Sequence, residues 1–204
     1  SLCQSAISQP DTMNQFQTEQ LNYAKHLQTD VLLDSQKLIS PHPEEMLFVI
    51  IHQVYELWFK QLLHDTHRVI NHLEQDELGQ ATWLIQRMVR ILQVADTQLS
   101  VLEMLPFADF QEFRPYLESS SGLQSRQFRE FEVLGGLCET AGEKYTNWAE
   151  KLWPGLTSAY PITLHTAFVN TIDRSGLSLL EIYEQRWEHF QLFSLCEACL
   201  EVDR

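Results

Sequence analysis

The chain has 204 residues, 44% of them hydrophobic, with seven glycines, seven prolines and a formal charge of −14. That length fits one domain or slightly more, the apolar fraction suffices for a sizeable core, and so few turn-forming residues argue against an all-β fold. The acidic balance excludes nucleic acid as a partner, because phosphate backbones require clusters of Lys and Arg that this sequence lacks.

Residues 1–18 form a polar tail rich in Gln and Ser, without the positively charged start of an export signal. The longest apolar run, Met46 to Ile51, falls far short of the ~20 residues that a membrane span needs, so no membrane partner and a cytoplasmic location are expected. An amphipathic helix is predicted from about Glu19 to Asp34. Pro41 and Pro43 bracket a turn ahead of a long helix from about Glu44 to Glu74. In it Leu47, Ile51, Val54, Leu57 and Trp58 share one stripe at about 100° per residue, and Phe48, Tyr55, Phe59 and Leu63 carry the apolar surface round to His52. This is the pattern of a core helix.

A short break at Asp76-Glu77-Leu78-Gly79 predicts an antiparallel neighbour. There Ala81, Leu84, Ile85, Met88, Leu92, Ala95, Leu99 and Leu102 recur at helical spacing, ending before Pro106. Pro115 pushes Arg114 away from helical backbone angles and predicts a helix end. One of Ser119, Ser120 and Ser121 is expected to cap the next helix, over 121–150. A loop opens at Pro154 and Gly155, and helices over 162–173 and 177–204 complete the chain. The fold expected is all-α, a bundle of long antiparallel helices forming one domain over 19–204. Neither period-two alternation nor an internal repeat is present.

Burying a neutral imidazole without a partner costs about 1–3 kcal/mol. His52 is therefore either a core histidine satisfied internally or a group that faces a ligand. Phe48 lies one turn earlier on the same side, so an aromatic ring and an imidazole line whatever cavity that side faces. Arg114, flanked by aromatic residues, could hold a carboxylate through two parallel hydrogen bonds. Ser119-Ser120-Ser121-Gly122 offers hydroxyls and backbone N–H groups in a tight turn. The plainer alternatives are a surface arginine and an ordinary loop. Four cysteines are too few for a disulfide-stapled scaffold, and Cys196 with Cys199 reads as two small core residues rather than a redox or metal pair. A carboxylate-bridged di-metal bundle needs Glu-x-x-His pairs, and no histidine here has an acidic residue three positions earlier. His64, His67 and His72 cluster and read as incidental surface groups, with a metal site as the alternative. A non-catalytic helical assembly protein also stays open, although it leaves His52 and Arg114 unexplained as a pair.

Three motifs occur in order: Pro-His-Pro-Glu-Glu-Met-Leu-Phe at 41–48, His-Gln-x-x-Glu-Leu-Trp-x-Lys at 52–60, and Phe-Arg-x-x-Leu-x-x-x-Ser-Gly-x-Gln-Ser-x-Gln-Phe-Arg at 113–129. On these the chain resembles the tryptophan 2,3-dioxygenase family, haem enzymes that open the indole ring with molecular oxygen. Weaker likeness extends through Leu21-Asn22-Tyr23 and Phe190-Gln191-Leu192, and 135–175 is the least similar part. The resemblance implies haem b as the iron cofactor, L-tryptophan or a related indole amino acid and O2 as substrates, N-formylkynurenine as product and a homotetramer. It implies that His52 is the distal histidine, hydrogen-bonding the indole N–H. Phe48 would pack on the indole plane, and Arg114 would pair with the substrate carboxylate. Ser121 and Gly122 would shape the pocket near the haem edge, Phe110 and Leu117 would supply apolar wall, and Tyr23 would reach into a neighbouring subunit's site. His26 stands where many members have a second aromatic residue.

In the family the proximal histidine, which ligates the iron, follows a helix resembling 190–203 and precedes a Gly-Thr-Gly-Gly loop. The resemblance places that ligand beyond Arg204, within about 7 residues of the same helix at 3.6 per turn. His189, in Arg186-Trp187-Glu188-His189, imitates the ligand's context but aligns upstream of it. No glycine cap or proline precedes Arg204 in the last predicted helix, and the chain starts at Ser1 rather than methionine. Both lead to the expectation of a fragment; a divergent member that has abandoned haem, or one acting on a modified indole, is the alternative.

Overall fold

Glu45 sets where the longest helix begins. Its side chain is 1% exposed, and its carboxylate accepts from the Ile39 N–H at 2.8 Å, the Ser40 N–H at 2.7 Å and the Ser40 hydroxyl. The lead-in at 39–44 is thereby folded back onto the first turn of α3 (Glu45–Glu74). The computed structural model describes residues 22–202, in two units divided between Lys37 and Leu38.

The first unit carries α1 (Tyr23–Leu27) and α2 (Thr29–Leu33), neither of which buries a residue. The single amphipathic helix expected here is broken at Gln28, whose backbone turns left-handed at φ 53°. Residues 19–21 of that expected helix, and the polar tail, lie outside the described residues.

In the second unit α3 pairs with α4 (Leu78–Leu102) across a turn of three residues, Gln75 to Glu77. Leu62, Val69, Ile70 and Leu73 of α3 and Ala81, Leu84, Ile85, Met88 and Ile91 of α4 make the main core. α6 (Arg126–Gly135) adds Leu134, α9 (Leu164–Ser175) adds Leu164 and Ala167, and α11 (Phe190–Val202) adds Leu195 and Ala198. Fully burying one such side chain contributes about 1.5–3 kcal/mol. The predicted α4 stripe is buried through Met88 and opens toward its end, where Leu99 is exposed. Asp65, fully buried, meets Arg87 of α4 at 2.9 and 2.5 Å. Arg87 in turn lies over the Trp83 ring at 4.7 Å. This two-point ion pair fixes the register of α3 on α4.

Three expectations are corrected. The helix foreseen over 121–150 is a 3-10 turn (Gly122–Gln124) followed by α6, α7 (Leu137–Ala141) and α8 (Glu143–Leu152). Gly136 and Gly142 separate the last three with φ of 109° and 75°, a region that L side chains rarely enter. The terminal helix foreseen from 177 divides into α10 (Leu179–Glu184), capped by Ser178 with Glu181 reaching back, and α11. Arg114 keeps helical angles, φ −50° and ψ −39°. α5 (Phe107–Phe113) does end before it, but a 3-10 turn (Arg114–Leu117) continues from it, with Pro115 in its first turn, where a missing N–H goes unnoticed. Among the described residues there is no strand, so the all-α class holds. None of the described helices is long and apolar enough to cross a membrane.

Gly136→Ala should destabilise the second unit by about 2–4 kcal/mol, because strained backbone adds to overpacking; the new Cβ would sit 2.4 Å from the His165 Cβ. A urea midpoint equal to that of the parent chain would contradict this. Burial pushes the Glu45 carboxyl up, but the Ser40 hydroxyl and the Ile39 and Ser40 N–H groups together outweigh it and hold it below 4.5. Its stabilisation is therefore complete above 4.5 and is lost as pH falls through the lowered folded value. Glu45→Gln should be less stable than the parent near neutrality, with the gap closing in acid. A gap that stays constant with pH would show that the carboxylate is not what matters.

Candidate functional site

α3 places Phe48 and His52 one turn apart, with ring centroids 4.2 Å from each other. α5 begins after Pro106, and its spacing of three residues puts Phe110 and Phe113 on one side. Phe113 is fully buried and anchors the helix. Phe110 and Phe113 approach Phe48 at 5.9 and 5.7 Å and meet each other edge-on at 5.4 Å. His42 from the lead-in closes on Phe113 at 5.7 Å. Four aromatic residues from three separate stretches thus surround one end of His52's neighbourhood.

His52 is half-buried, and its Nδ1 lies 2.7 Å from the Phe48 carbonyl oxygen. A carbonyl has no proton to give, so Nδ1–H is the donor, and in the neutral ring Nε2 then keeps its lone pair. The ring is thus both satisfied internally and left with one acceptor nitrogen. The two alternatives drawn from its sequence context are compatible.

The rungs of α3 around His52 are pinned from two sides. From α4, Gln98 donates to the Ile51 carbonyl at 3.1 Å, and the Ala95 carbonyl accepts the Tyr55 hydroxyl at 2.7 Å. From α6, Gln127 donates to both the backbone carbonyl and the carboxylate of Glu56, at 2.9 and 2.8 Å. Burial, and then the nearby Asp96 charge, push the Tyr55 phenol up, so it stays a donor. Sequence reasoning missed these partners. Polar residues on an apolar helix were the available signal, but it does not say what they touch.

Arg114 is half-buried, and its guanidinium donates from Nη1 to the Glu118 carbonyl at 2.9 Å, across its own turn. Leu117, Ser121 and Gly122 follow on the same irregular segment. Ser121 caps the Gly122–Gln124 turn by accepting from the Leu123 N–H at 3.3 Å while its own N–H goes to the Gln124 side chain at 3.1 Å. Ser121, one of the three serines foreseen as a cap, thus caps the 3-10 turn that opens this stretch, while α6 takes its own cap, Ser125. A Cβ on Gly122 would meet nothing within 4 Å. Tyr23 opens α1 in the first unit and is 77% exposed.

The structure therefore joins Phe48, His52 and Phe110 by ring contacts; Arg114 directly follows Phe113 in the chain, and its guanidinium bonds to Glu118 rather than to any of these rings. His189 lies in the turn ahead of α11, where its carbonyl accepts the Phe193 N–H at 3.0 Å. α11 packs on α4 and α10. Cys196 is buried against Ile172 and Ile182, and Cys199 packs on the main core. Burial and then Glu197 push the Cys196 thiol up, away from reactivity. A cavity of about 510 Å³ is lined by His64, His67, Arg68, Asn71 and His72, none of them part of the aromatic cluster.

The family model described as tryptophan 2,3-dioxygenase matches residues 8–153, a stretch that includes His52, Arg114 and the whole aromatic cluster. Proteins bearing that name include one from Herpetosiphon aurantiacus, 44% identical over 121 residues, which are 58% of this chain and 46% of the relative. One from Bacillus thuringiensis subsp. konkukian is 28% identical over 209 residues, covering 91% and 75%. One from Anaeromyxobacter sp. strain K is 40% identical over 116 residues, covering 57% and 44%. The chain thus spans just under half the length of the first and third of these relatives. With its three motifs inside the matched stretch, the chain belongs to the tryptophan 2,3-dioxygenase family.

Proposed function

We propose that this chain supplies the substrate-contacting side of a dioxygenase that opens the indole ring of L-tryptophan with O2 to give N-formylkynurenine. The observation that carries the reading is the His52 ring, whose Nδ1–H is spent on the Phe48 carbonyl. In the neutral ring the remaining nitrogen accepts, which matches an indole N–H, a group that can only donate. Phe48, 4.2 Å from that imidazole, offers a flat face on which an indole can pack. Phe110 and Leu117 complete the apolar wall, and Ser121 and Gly122 border it.

Arg114 is the group for the substrate carboxylate. Its present partner is a neutral carbonyl, so exchanging that bond for a two-point carboxylate pair is favourable. The pair then sets the register of the indole against His52. Holding reactants in one orientation lowers a barrier by about 7–11 kcal/mol in well-fitted systems, and this positioning is the protein's main part.

Haem b is the cofactor of this reading. The donor set fits one face of it: a single imidazole with a free lone pair among phenylalanines suits a planar aromatic substrate lying against a porphyrin. When bound, the haem iron supplies the oxygen activation. His189 is not taken as its ligand, since it aligns upstream of the position that the family resemblance gives to the ligand. The same reading includes a homotetramer in which Tyr23 enters a neighbour's site, and a cytoplasmic location; both are supported by family membership alone.

In the haem-loaded enzyme, Arg114→Ala should raise the KM for tryptophan by about 30-fold or more, the factor equivalent to ~2 kcal/mol. An unchanged KM in steady-state assays would remove Arg114 from the site. His52→Ala should retain the Soret band while turnover falls. Loss of haem instead would make His52 an iron ligand and invert the orientation.

A further inference from the structure

Between the lead-in to α3 and the outer face of α5, His42, Asp109 and Glu112 offer one ligand atom each, all within 4.8 Å of one another. Asp109 and Glu112 are three residues apart on α5, so their carboxylates leave the same side of the helix. Carboxylates brought that close repel unless a cation stands between them. The charge balance present is thin. His42 Nε2 lies 3.5 Å from the Glu112 carboxylate, too long for a strong hydrogen bond. The His42 Nδ1 accepts the Glu44 N–H at 3.3 Å. Asp109 is half-buried, and its carboxylate makes no hydrogen bond or ion pair with a described residue.

We propose that His42, Asp109 and Glu112 bind a divalent transition-metal cation. One imidazole nitrogen with two carboxylate oxygens suits Mn2+, Co2+ or Zn2+ better than the all-oxygen preference of Ca2+ or Mg2+. Glu112 is 69% exposed, which leaves room for water to complete the coordination shell, whereas His42 at 16% is already held in place. Glu45 clamps the preceding Ile39 and Ser40, and the His42 ring rests on Phe113. Coordination through Nε2 requires the ring proton to sit on Nδ1. That proton stays on the imidazole, and the 3.3 Å contact from Glu44 is given up. The bound ion ties the lead-in to α5, the helix that carries Phe110 and Phe113 and ends beside Arg114.

The test is direct binding and does not depend on the proposed reaction. Mn2+ is titrated into the protein at physiological ionic strength while the six-line EPR signal of the free ion is followed. One equivalent should be taken up, and Asp109→Asn and His42→Ala should each weaken uptake at least about tenfold, as loss of even an outer partner of a metal site can. His64→Ala, in the separate surface cluster, should leave it unchanged. Mn2+ should also raise the Tm of the parent chain but not of Asp109→Asn. Absence of stoichiometric uptake, or equal affinity in all three variants, would overturn the proposal. Equal affinity would mean that Mn2+ only condenses on an acidic surface.

Discussion

One helix has to be core along one half and site along the other, and the rest of the structure follows from that. The C-terminal half of α3 buries Leu62, Asp65, Thr66, Val69, Ile70 and Leu73. The N-terminal half presents Phe48 and His52, which are only half-buried. Because backbone hydrogen bonds run unbroken along 30 residues, the imidazole inherits its position from packing several turns away. Rotation about the helix axis is blocked separately, by Tyr55, Gln98 and Gln127 bonding at the level of His52. The Asp65–Arg87 pair blocks sliding along α4, and removing Arg87 would leave the buried Asp65 only Arg68, at 3.6 Å, to offset its charge.

The chemistry of the site comes from what this scaffold leaves unspent. Among Phe48, Phe110 and Phe113 there is little for a substrate to hydrogen-bond, so in the proposed function a single acceptor nitrogen and a single guanidinium decide what fits. Both are held by backbone carbonyls rather than by charged partners. For His52 that arrangement selects one tautomer. For Arg114 it provides a resting contact weak enough to be exchanged for a carboxylate. Family membership supports the same substrate class, while the coverage of the relatives leaves the complete enzyme's activity as the proposal made above.

Much of this was legible in the residues and some was not. The bounds of α3 and α4 follow from long apolar periodicity, with Pro43 ahead of the first and Pro106 after the second. Periodicity does not say which arc meets the core: Leu57, placed in the buried stripe by spacing, is 51% exposed. Breaks at Gly136 and Gly142 were hidden because a single glycine inside a helical pattern is tolerated as often as it ends one. The division between α10 and α11 contains neither glycine nor proline, although the Ser178 to Glu181 cap spacing marks where α10 starts. Phe48 and His52 were predictable as neighbours because one turn separates them. Gln127 with Glu56, and His42 with Glu112, are joined across many residues by tertiary packing, and no local pattern encodes such contacts.

The tautomer of His52 is the most direct test, since the proposed function assigns its acceptor nitrogen to the indole N–H of the substrate. Long-range 1H–15N correlation spectra of the protein, with His52 assigned by substitution, distinguish a protonated ring nitrogen from a bare one. A protonated Nδ1 and a bare Nε2 are expected at a pH where the ring is neutral. A bare Nδ1 with the proton on Nε2 would contradict this, because the ring would then present a donor where the substrate also brings one.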